Sequence, residues 1–305
     1  MNARFAYIGV PLWYGCGKEG TDSAPSAIRR SNLLENLQSM GISISDFGDI
    51  DFGTSANALE DYSEYPMYRY RDTLLAVSKI RDVVEQAQQA GNIPVVTGGD
   101  HSLGLGSVSA SAKQDPNIGV IWFDAHGDMN TEETSPTGHI HGMPVAALMG
   151  LCKSGLNDVP TIHVKPQNIF WIGARSLDDG ERKLIETLHL NVYSTDEIHR
   201  RGMYDVMAEV ADRMQLLGIK NIHCSFDVDA MDPTIVAATG CLVPNGLNNQ
   251  NFDEFAASLS TMAQRIIALD FVEYNPLLDN EQHTSLLWCR EALQRLCCAI
   301  IQNRV

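Results

Sequence analysis

The sequence predicts an α/β fold built on a largely parallel sheet, and three observations predict it. Short, almost continuously apolar runs recur along the chain, segments with apolar residues at helical spacing lie between them, and no Pro/Gly/Ser-rich linker, low-complexity tract or internal repeat interrupts the 305 residues. Strands alternating with helices form βαβ units, whose crossovers make the strands parallel. Runs that are apolar on both faces, such as Ile118–Phe123, suit central strands covered by helices on both sides. One domain is expected over 1–305.

Phe5–Val10 reads as the first strand and stops at Pro11. A helix opens at Ala24-Pro25-Ser26-Ala27 and is expected to run to about Met40, with Pro25 near its start, where a missing N–H costs nothing. The acidic, aperiodic stretch between about Phe52 and Pro66 reads as a long surface loop. Leu74, Val77, Ile80, Val84 and Ala87 mark a helix stopped by Gly91. Strands follow at Ile93–Thr97 and Ile118–Phe123, then at Ile169–Gly173, Asn191–Tyr193, Ile222–Phe226 and Ile266–Val272. Helices are expected at about Asp179–Leu188, Tyr204–Leu217 and Phe252–Gln264, and a last one from about Ser285 to Gln302.

A chain this long buries most of the surface it would expose unfolded and needs no covalent staples. The formal charge of −16 argues against nucleic acid or an anionic membrane as the main partner. Part of that excess has a use if carboxylates hold divalent cations. No apolar run reaches the roughly 18 residues of a bilayer span. The seven cysteines are odd in number and include no C-x-x-C pair. Met1–Ala6 leads into a strand-like segment rather than a secretory signal. Both point to reduced thiols in a cytoplasmic protein, with most of the cysteines acting as small buried hydrophobes.

Three motifs sit where strands end. Gly98-Gly99-Asp100-His101-Ser102 follows Ile93–Thr97, Asp124-Ala125-His126-Gly127-Asp128 follows the Ile118–Phe123 run, and Asp227-Val228-Asp229 follows Ile222–Phe226. In open α/β sheets ligands bind outside the carboxyl ends of the strands, so the three should meet at one rim. Residues two apart on an extended segment point the same way. Asp124, His126 and Asp128 therefore project together, as do Asp227 and Asp229, and His101 joins them. Four carboxylates cannot share a water-poor pocket unless they protonate or bind cations. Two divalent cations neutralise them, with the imidazoles as neutral donors. An oxygen-rich set with a minority of imidazole favours Mn²⁺, with Co²⁺, Fe²⁺, Ni²⁺ and Zn²⁺ as alternatives. The absence of cysteine in these motifs speaks against a structural zinc site. A lone Asp-x-Asp at a strand end is most often a turn or a helix cap; it is the coincidence of all three motifs that points to metal. Gly104-x-Gly106 lacks the rest of a nucleotide-binding fingerprint and begins inside a helical stretch.

At these residues the sequence resembles the ureohydrolase family, which includes arginases, agmatinases and formiminoglutamases. The likeness runs nearly end to end. It includes Gly138-His139-Ile140-His141-Gly142-Met143-Pro144, Ser225 through Pro233, and Asp270-Phe271-Val272-Glu273-Tyr274-Asn275-Pro276. Residues Asn130–Pro144 and Gly173–Arg182 are similar to bacterial arginases in particular. The resemblance implies a three-layer α/β/α sandwich. It also implies two metals, one held by His101, Asp124, Asp128 and Asp227 and the other by His126, Asp124, Asp227 and Asp229, with Asp124 and Asp227 bridging. A pair of divalent metals lowers the pKa of a bound water, so that hydroxide exists near neutral pH and can attack a guanidinium carbon.

By the same resemblance His141 delivers a proton to the departing amine, Glu273 holds the guanidinium, and Asp128 ranks with them as indispensable to catalysis. Asn130, Thr137 and His139 would read an α-carboxylate, Asp178 the α-amino group directly, and Glu181 the same group through water. A trimer or hexamer is implied as well. Two departures bear on the substrate. His139 and Thr137 stand where arginases typically carry asparagine and serine, and Gly240-Cys241-Leu242-Val243-Pro244 replaces a loop usually rich in Gly, Thr and Pro. L-Arginine, split to ornithine and urea, leads. Guanidinobutyrate, agmatine and formiminoglutamate are the alternative substrates, and a non-catalytic metal-binding paralogue is disfavoured because every ligand and acid–base residue is present.

Overall fold

The eight strands of the computed structural model, which describes residues 4–53, 67–301 and 304, are β1 (Arg4–Gly9), β2 (Ile44–Asp49), β3 (Asn92–Thr97), β4 (Gly119–Phe123), β5 (Ile169–Ala174), β6 (Asn191–Ser194), β7 (Ile222–Asp227) and β8 (Ile266–Val272). They form one sheet in the order β2-β1-β3-β8-β7-β4-β5-β6, and every pairing is parallel. The apolar runs of β3, β4, β5, β7 and β8 are buried almost throughout, as central strands covered on both faces should be.

The helices are α1 (Ala24–Arg30), α2 (Leu33–Ser39), α3 (Tyr70–Gln89), α4 (Leu103–Gln114), α5 (Pro144–Leu148), α6 (Asp179–Leu188), α7 (Thr195–Arg201), α8 (Met203–Leu216), α9 (Asn249–Thr261) and α10 (Thr284–Ile301). Residues of α1, α2 and α7 through α10 share one core with one face of the sheet. Residues of α3, α4, α5 and α6 pack on the other face. The result is the expected three-layer sandwich.

Three expectations are corrected. The single helix from Ala24 to Met40 is two, because Asn32 adopts a left-handed backbone (φ 64°) that no α-helix continues through. The sequence reading contained no strand at Ile44–Asp49. That strand lies at the sheet edge with mostly exposed residues, so it carries no apolar run to betray it. α7 was likewise unanticipated. The loop expected between Phe52 and Pro66 lies, for residues 54–66, outside the described residues, as does Gln302. All seven cysteines are free, and five of them are buried, which agrees with the reading of them as small hydrophobes. No described helix is long and apolar enough to cross a membrane.

Candidate functional site

The four strands β3, β8, β7 and β4 are neighbours, and their register puts Thr97 beside Phe271, Phe271 beside Phe226, and Phe226 beside Phe123. The rings of this row stack, Phe123 on Phe226 at 4.5 Å and Phe226 on Phe271 at 5.4 Å between centroids. One residue further on, Gly98, Val272, Asp227 and Asp124 leave the sheet along a common line. The segments that follow carry His101, Glu273, Asp229 and Asp128, so side chains as much as 172 residues apart in sequence meet at one rim.

His101 is the hub of the first group. Its Nδ1 lies 2.8 Å from Asp124 Oδ2, 3.1 Å from Asp128 Oδ2 and 3.1 Å from Asp227 Oδ2. Its ring is stacked on Trp122, with centroids 3.9 Å apart and planes within 7°. The Trp122 Nε1–H donates to Asp124 Oδ2 at 3.1 Å. In the second group His126 Nδ1 lies 3.1 Å from Asp229 Oδ2 and 3.4 Å from Asp124 Oδ1. Asp124 thus turns one oxygen to each imidazole. The donor atoms of His101, Asp124 and Asp128, and those of Asp124, His126 and Asp229, each lie within 4.8 Å of one another. The Asp227 oxygen not facing His101 accepts the Asp229 N–H at 2.8 Å. Asp124 Oδ1 likewise accepts the His126 N–H at 2.7 Å, and of the two bridging carboxylates the resemblance implies, Asp124 is the one that faces both imidazoles.

This donor set fits cations. An imidazole nitrogen carries at most one proton, yet His101 Nδ1 faces three carboxylate oxygens in a buried site. A divalent ion satisfies all four atoms at once. The electrostatics agree. Burial, and then repulsion from Asp124, push Asp128 up to about 7. Burial, and then Asp229 and Asp124, raise Asp227 well above the usual carboxylate range. Asp229 is raised as well, chiefly by burial. Burial opposes charge on Asp124 too, but hydrogen bonds from His101 and His126 hold it ionised. Both histidines, although disfavoured by burial, are raised by the surrounding aspartates. Carboxylates that resist ionising together are the signature of a place meant for positive charge.

Above this floor opens a cavity of about 220 Å³. Glu273 Oε1 accepts the His101 backbone N–H at 2.8 Å and lies 3.0 Å from His141 Nδ1. Burial opposes the charge of His141, but the hydrogen bond and charge of Glu273 win and raise it to about 9. Glu273 Oε2 carries no hydrogen bond among the described residues. Asp128 and Glu273 both hold left-handed backbone conformations, φ 52° and 65°; side chains other than glycine adopt that region at a steric penalty, and such residues concentrate at functional sites.

The mouth is built from loops. Asp178 caps the start of α6 and accepts a hydrogen bond from Asn130 Nδ2 at 2.8 Å. Glu181, third residue of that helix, is buried, and both its oxygens are taken by backbone N–H groups, Asp178 at 2.8 Å and Met129 at 3.1 Å. It shapes the site by fixing Asp178 and the turn that ends at Met129. Thr137 is exposed, and its hydroxyl accepts the His139 N–H at 3.2 Å. His139 packs edge-on against Tyr68 and, through burial and then the nearby charges of His141 and Lys18, is held below the usual histidine range. Cys241 also lines the cavity, its thiol pushed up to about 12 by burial and then by Glu273 and Asp229.

Some residues at the site carried no signal of their own in the sequence. Trp122 lies inside an apolar run that reads simply as a strand. Lys18, exposed, bonds Gly240 O at 2.5 Å and so ties the Cys241 loop to the segment after β1. Asp100 stood next to His101 in a motif already singled out. It is wholly buried, accepts the Gly15 N–H at 2.9 Å, and draws that segment over the site.

A parallel sheet bearing such a cluster at its carboxyl rim, with a His–Glu pair beside it, defines a metal-dependent hydrolase, and the comparisons with known proteins name its kind. Residues 3–298 match the model of the Arginase family. The arginase of Bacillus subtilis (strain 168) is 37% identical over 93% of this chain and 94% of its own, and that of Brevibacillus brevis is 39% identical over 93% and 95%. The crystal structure of arginase from Bacillus caldovelox superposes with a TM-score of 0.89 at 33% identity, covering 99% of each chain. A formimidoylglutamase from Bacillus subtilis, at 20% identity and a TM-score of 0.78, shares the fold. The chain belongs to the arginase family and is a ureohydrolase-type hydrolase.

Proposed function

We propose that this protein hydrolyses L-arginine to L-ornithine and urea with two Mn²⁺ ions bound. One observation carries the reading: six ligating side chains converge at the floor of a cavity that also presents Glu273, His141 and the Asn130–Asp178 pair. His101, Asp124, Asp128 and Asp227 would hold one ion, and His126, Asp124, Asp229 and Asp227 the other. Such a pair supplies a nucleophile of hydroxide strength near neutral pH.

The chain's own residues do the rest. The free Oε2 of Glu273 accepts guanidinium N–H bonds, strong because both partners are charged, and holds the carbon over the floor. His141, protonated and held by Glu273 Oε1, stands ready to donate to the nitrogen that becomes the amine of ornithine. Asp178 pairs the α-amino group at the mouth, while Asn130, Thr137 and His139 offer donors to the α-carboxylate. A site that pairs these groups discriminates against guanidino compounds lacking them, because its own polar atoms would be left unmatched. Relatives of 37–39% identity bearing the name arginase support the same substrate.

The test is product release after Mn²⁺ loading, urea from L-arginine, agmatine and 4-guanidinobutyrate and formamide from formiminoglutamate, measured side by side. Arginine is expected to lead by kcat/KM; a compound without the amino-acid head leading instead would overturn the assignment. A single domain, cytoplasmic residence and a trimeric or hexameric assembly belong to the same proposal. Leu277, Leu278 and Leu287, exposed at 69%, 50% and 44%, are surface a subunit contact would cover. Light scattering on the purified chain reads the assembly.

A further inference from the structure

Behind His101, on the side away from the cavity, a chain of buried polar side chains runs between the sheet and its helices. His101 Nε2 lies 2.9 Å from Ser225 Oγ, and that hydroxyl donates to Asp270 Oδ2 at 3.1 Å. The same oxygen accepts from Ser107 Oγ at 2.6 Å and lies 2.9 Å from His223 Nε2. His223 Nδ1 lies 2.8 Å from Ser111 Oγ, which accepts from Gln88 Nε2 at 2.8 Å. Asp270, His223, Ser225, Ser107 and Ser111 are all 0% exposed. The hydrolytic scheme uses none of them, yet a buried carboxylate and imidazole are expensive to keep unless they are bonded and serve a purpose; Asp270 does its bonding through Oδ2, and its Oδ1, like Gln88 Oε1, has no partner among the described residues.

The direction of each bond can be worked out from the ends. An amide Nε2 only donates, so Ser111 receives from Gln88 and its own hydroxyl proton is free for His223 Nδ1. His223 then carries its proton on Nε2 and gives it to Asp270. A carboxylate only accepts, and it takes the Ser225 hydroxyl proton as well. With that proton committed, Ser225 has only lone pairs to offer His101. The neutral His101 ring must therefore keep its proton on Nε2, which leaves the Nδ1 lone pair aimed at the oxygens of Asp124, Asp128 and Asp227. A lone pair and three carboxylates repel unless a cation lies between them. Without Asp270, Ser225 is a free rotor, as ready to donate to His101 as to accept from it.

We infer that Asp270 and His223 are positioning residues for the metal centre: with Ser111 and Gln88 behind them they fix His101 in the tautomer that binds a cation through Nδ1. This rests on the two-ion reading above, and it concerns only the ion held by His101. Groups that orient a metal-bound histidine typically contribute about 10–100-fold in metal affinity.

The test is titration of the full-length, metal-stripped protein with Mn²⁺ alone, reading free ion by electron paramagnetic resonance. In Asp270→Asn and His223→Gln, one of the two ions should bind about 10–100-fold more weakly, while the other changes by less than about threefold. Gln88→Ala, at the far end, should shift the same ion in the same direction by less. In the Zn²⁺-loaded wild type the His101 Nε2–H should be seen as a protected imidazole proton, and it should be lost in Asp270→Asn. Unchanged affinity for both ions in a folded variant, or equal weakening of both, overturns the inference. If Asp270→Asn does not fold, Ser225→Ala carries the test with the same expectation. A wild-type protein that binds two ions but releases urea from no guanidino compound would sink the hydrolytic proposal and leave this one intact.

Discussion

The floor of the pocket and its mouth are built on different principles. Floor residues stand on, or within a few residues of, the ends of four adjacent strands. They are nearly all buried, and each is held by others of the set. Mouth residues sit mostly on loops: Thr137 and Asp178 are exposed, and among the described residues the ring of His139 is held only by contacts with the rings of Tyr68 and His141. Rigid elements fix geometry more tightly than loops, and loops tolerate change. The departures from the arginase pattern follow this division. The ligands that the resemblance implies stand at the floor, while His139, Thr137 and Cys241, where it implies departures, stand at the mouth. On the proposed function, the chemistry is fixed by the sheet and the choice of substrate is left to the loops.

Substitutions at the two levels should therefore differ in kind as well as in size. Asp124→Ala removes the carboxylate shared between the two groups. Turnover should fall by more than the roughly 10²–10⁴-fold typical of losing an acid–base group, and the protein should emerge from gel filtration without two Mn²⁺ ions. Retention of both by elemental analysis would mean the floor is misassigned. His141→Asn, one level up, should keep both ions and lose kcat by about 10²–10⁴-fold with KM little changed. Asp178→Ala lies at the mouth. A hydrogen bond to a charged group is worth about 1.5–3 kcal/mol, so KM for arginine should rise roughly 10- to 100-fold, while any turnover of 4-guanidinobutyrate, which has no amine, stays level. Thr137→Ala removes one exposed neutral contact and should change KM by no more than about tenfold. A Thr137→Ala effect on kcat as large as that of His141→Asn would erase the division between floor and mouth.

The same division explains what could be read from the chain in advance. The floor was legible because its residues follow apolar runs at fixed short spacings, so strand ends and ligands announce each other; Asp124-x-His126-x-Asp128 after Trp122-Phe123 is the clearest case. α6 and β8 have the bounds their patterns predict. The break at Asn32 was hidden because the apolar spacing carries on through it, and β2 because an exposed edge strand needs no apolar face. The Asp270–His223 network was beyond the reach of sequence reasoning altogether. Asp270 and His223 look like polar accidents within strands, and their partners lie 45 to 163 residues away. Glu181, expected to reach the α-amino group through water, lines the cavity, and each of its oxygens accepts one backbone N–H that no sequence pattern announces.

The left-handed backbone at Asp128 and Glu273 inverts an ordinary ranking. At most positions alanine is safer than glycine; where φ is positive, added Cβ atoms are strained and glycine is the relaxed choice. Glu273→Gly should thus melt above Glu273→Ala, by about 1 kcal/mol or more, in a thermal scan of the apo proteins. The corollary concerns heredity. At these two posts glycine or asparagine is a less strained exit than alanine, so a lineage that abandons hydrolysis through them gives up less of its fold than one that passes through alanine.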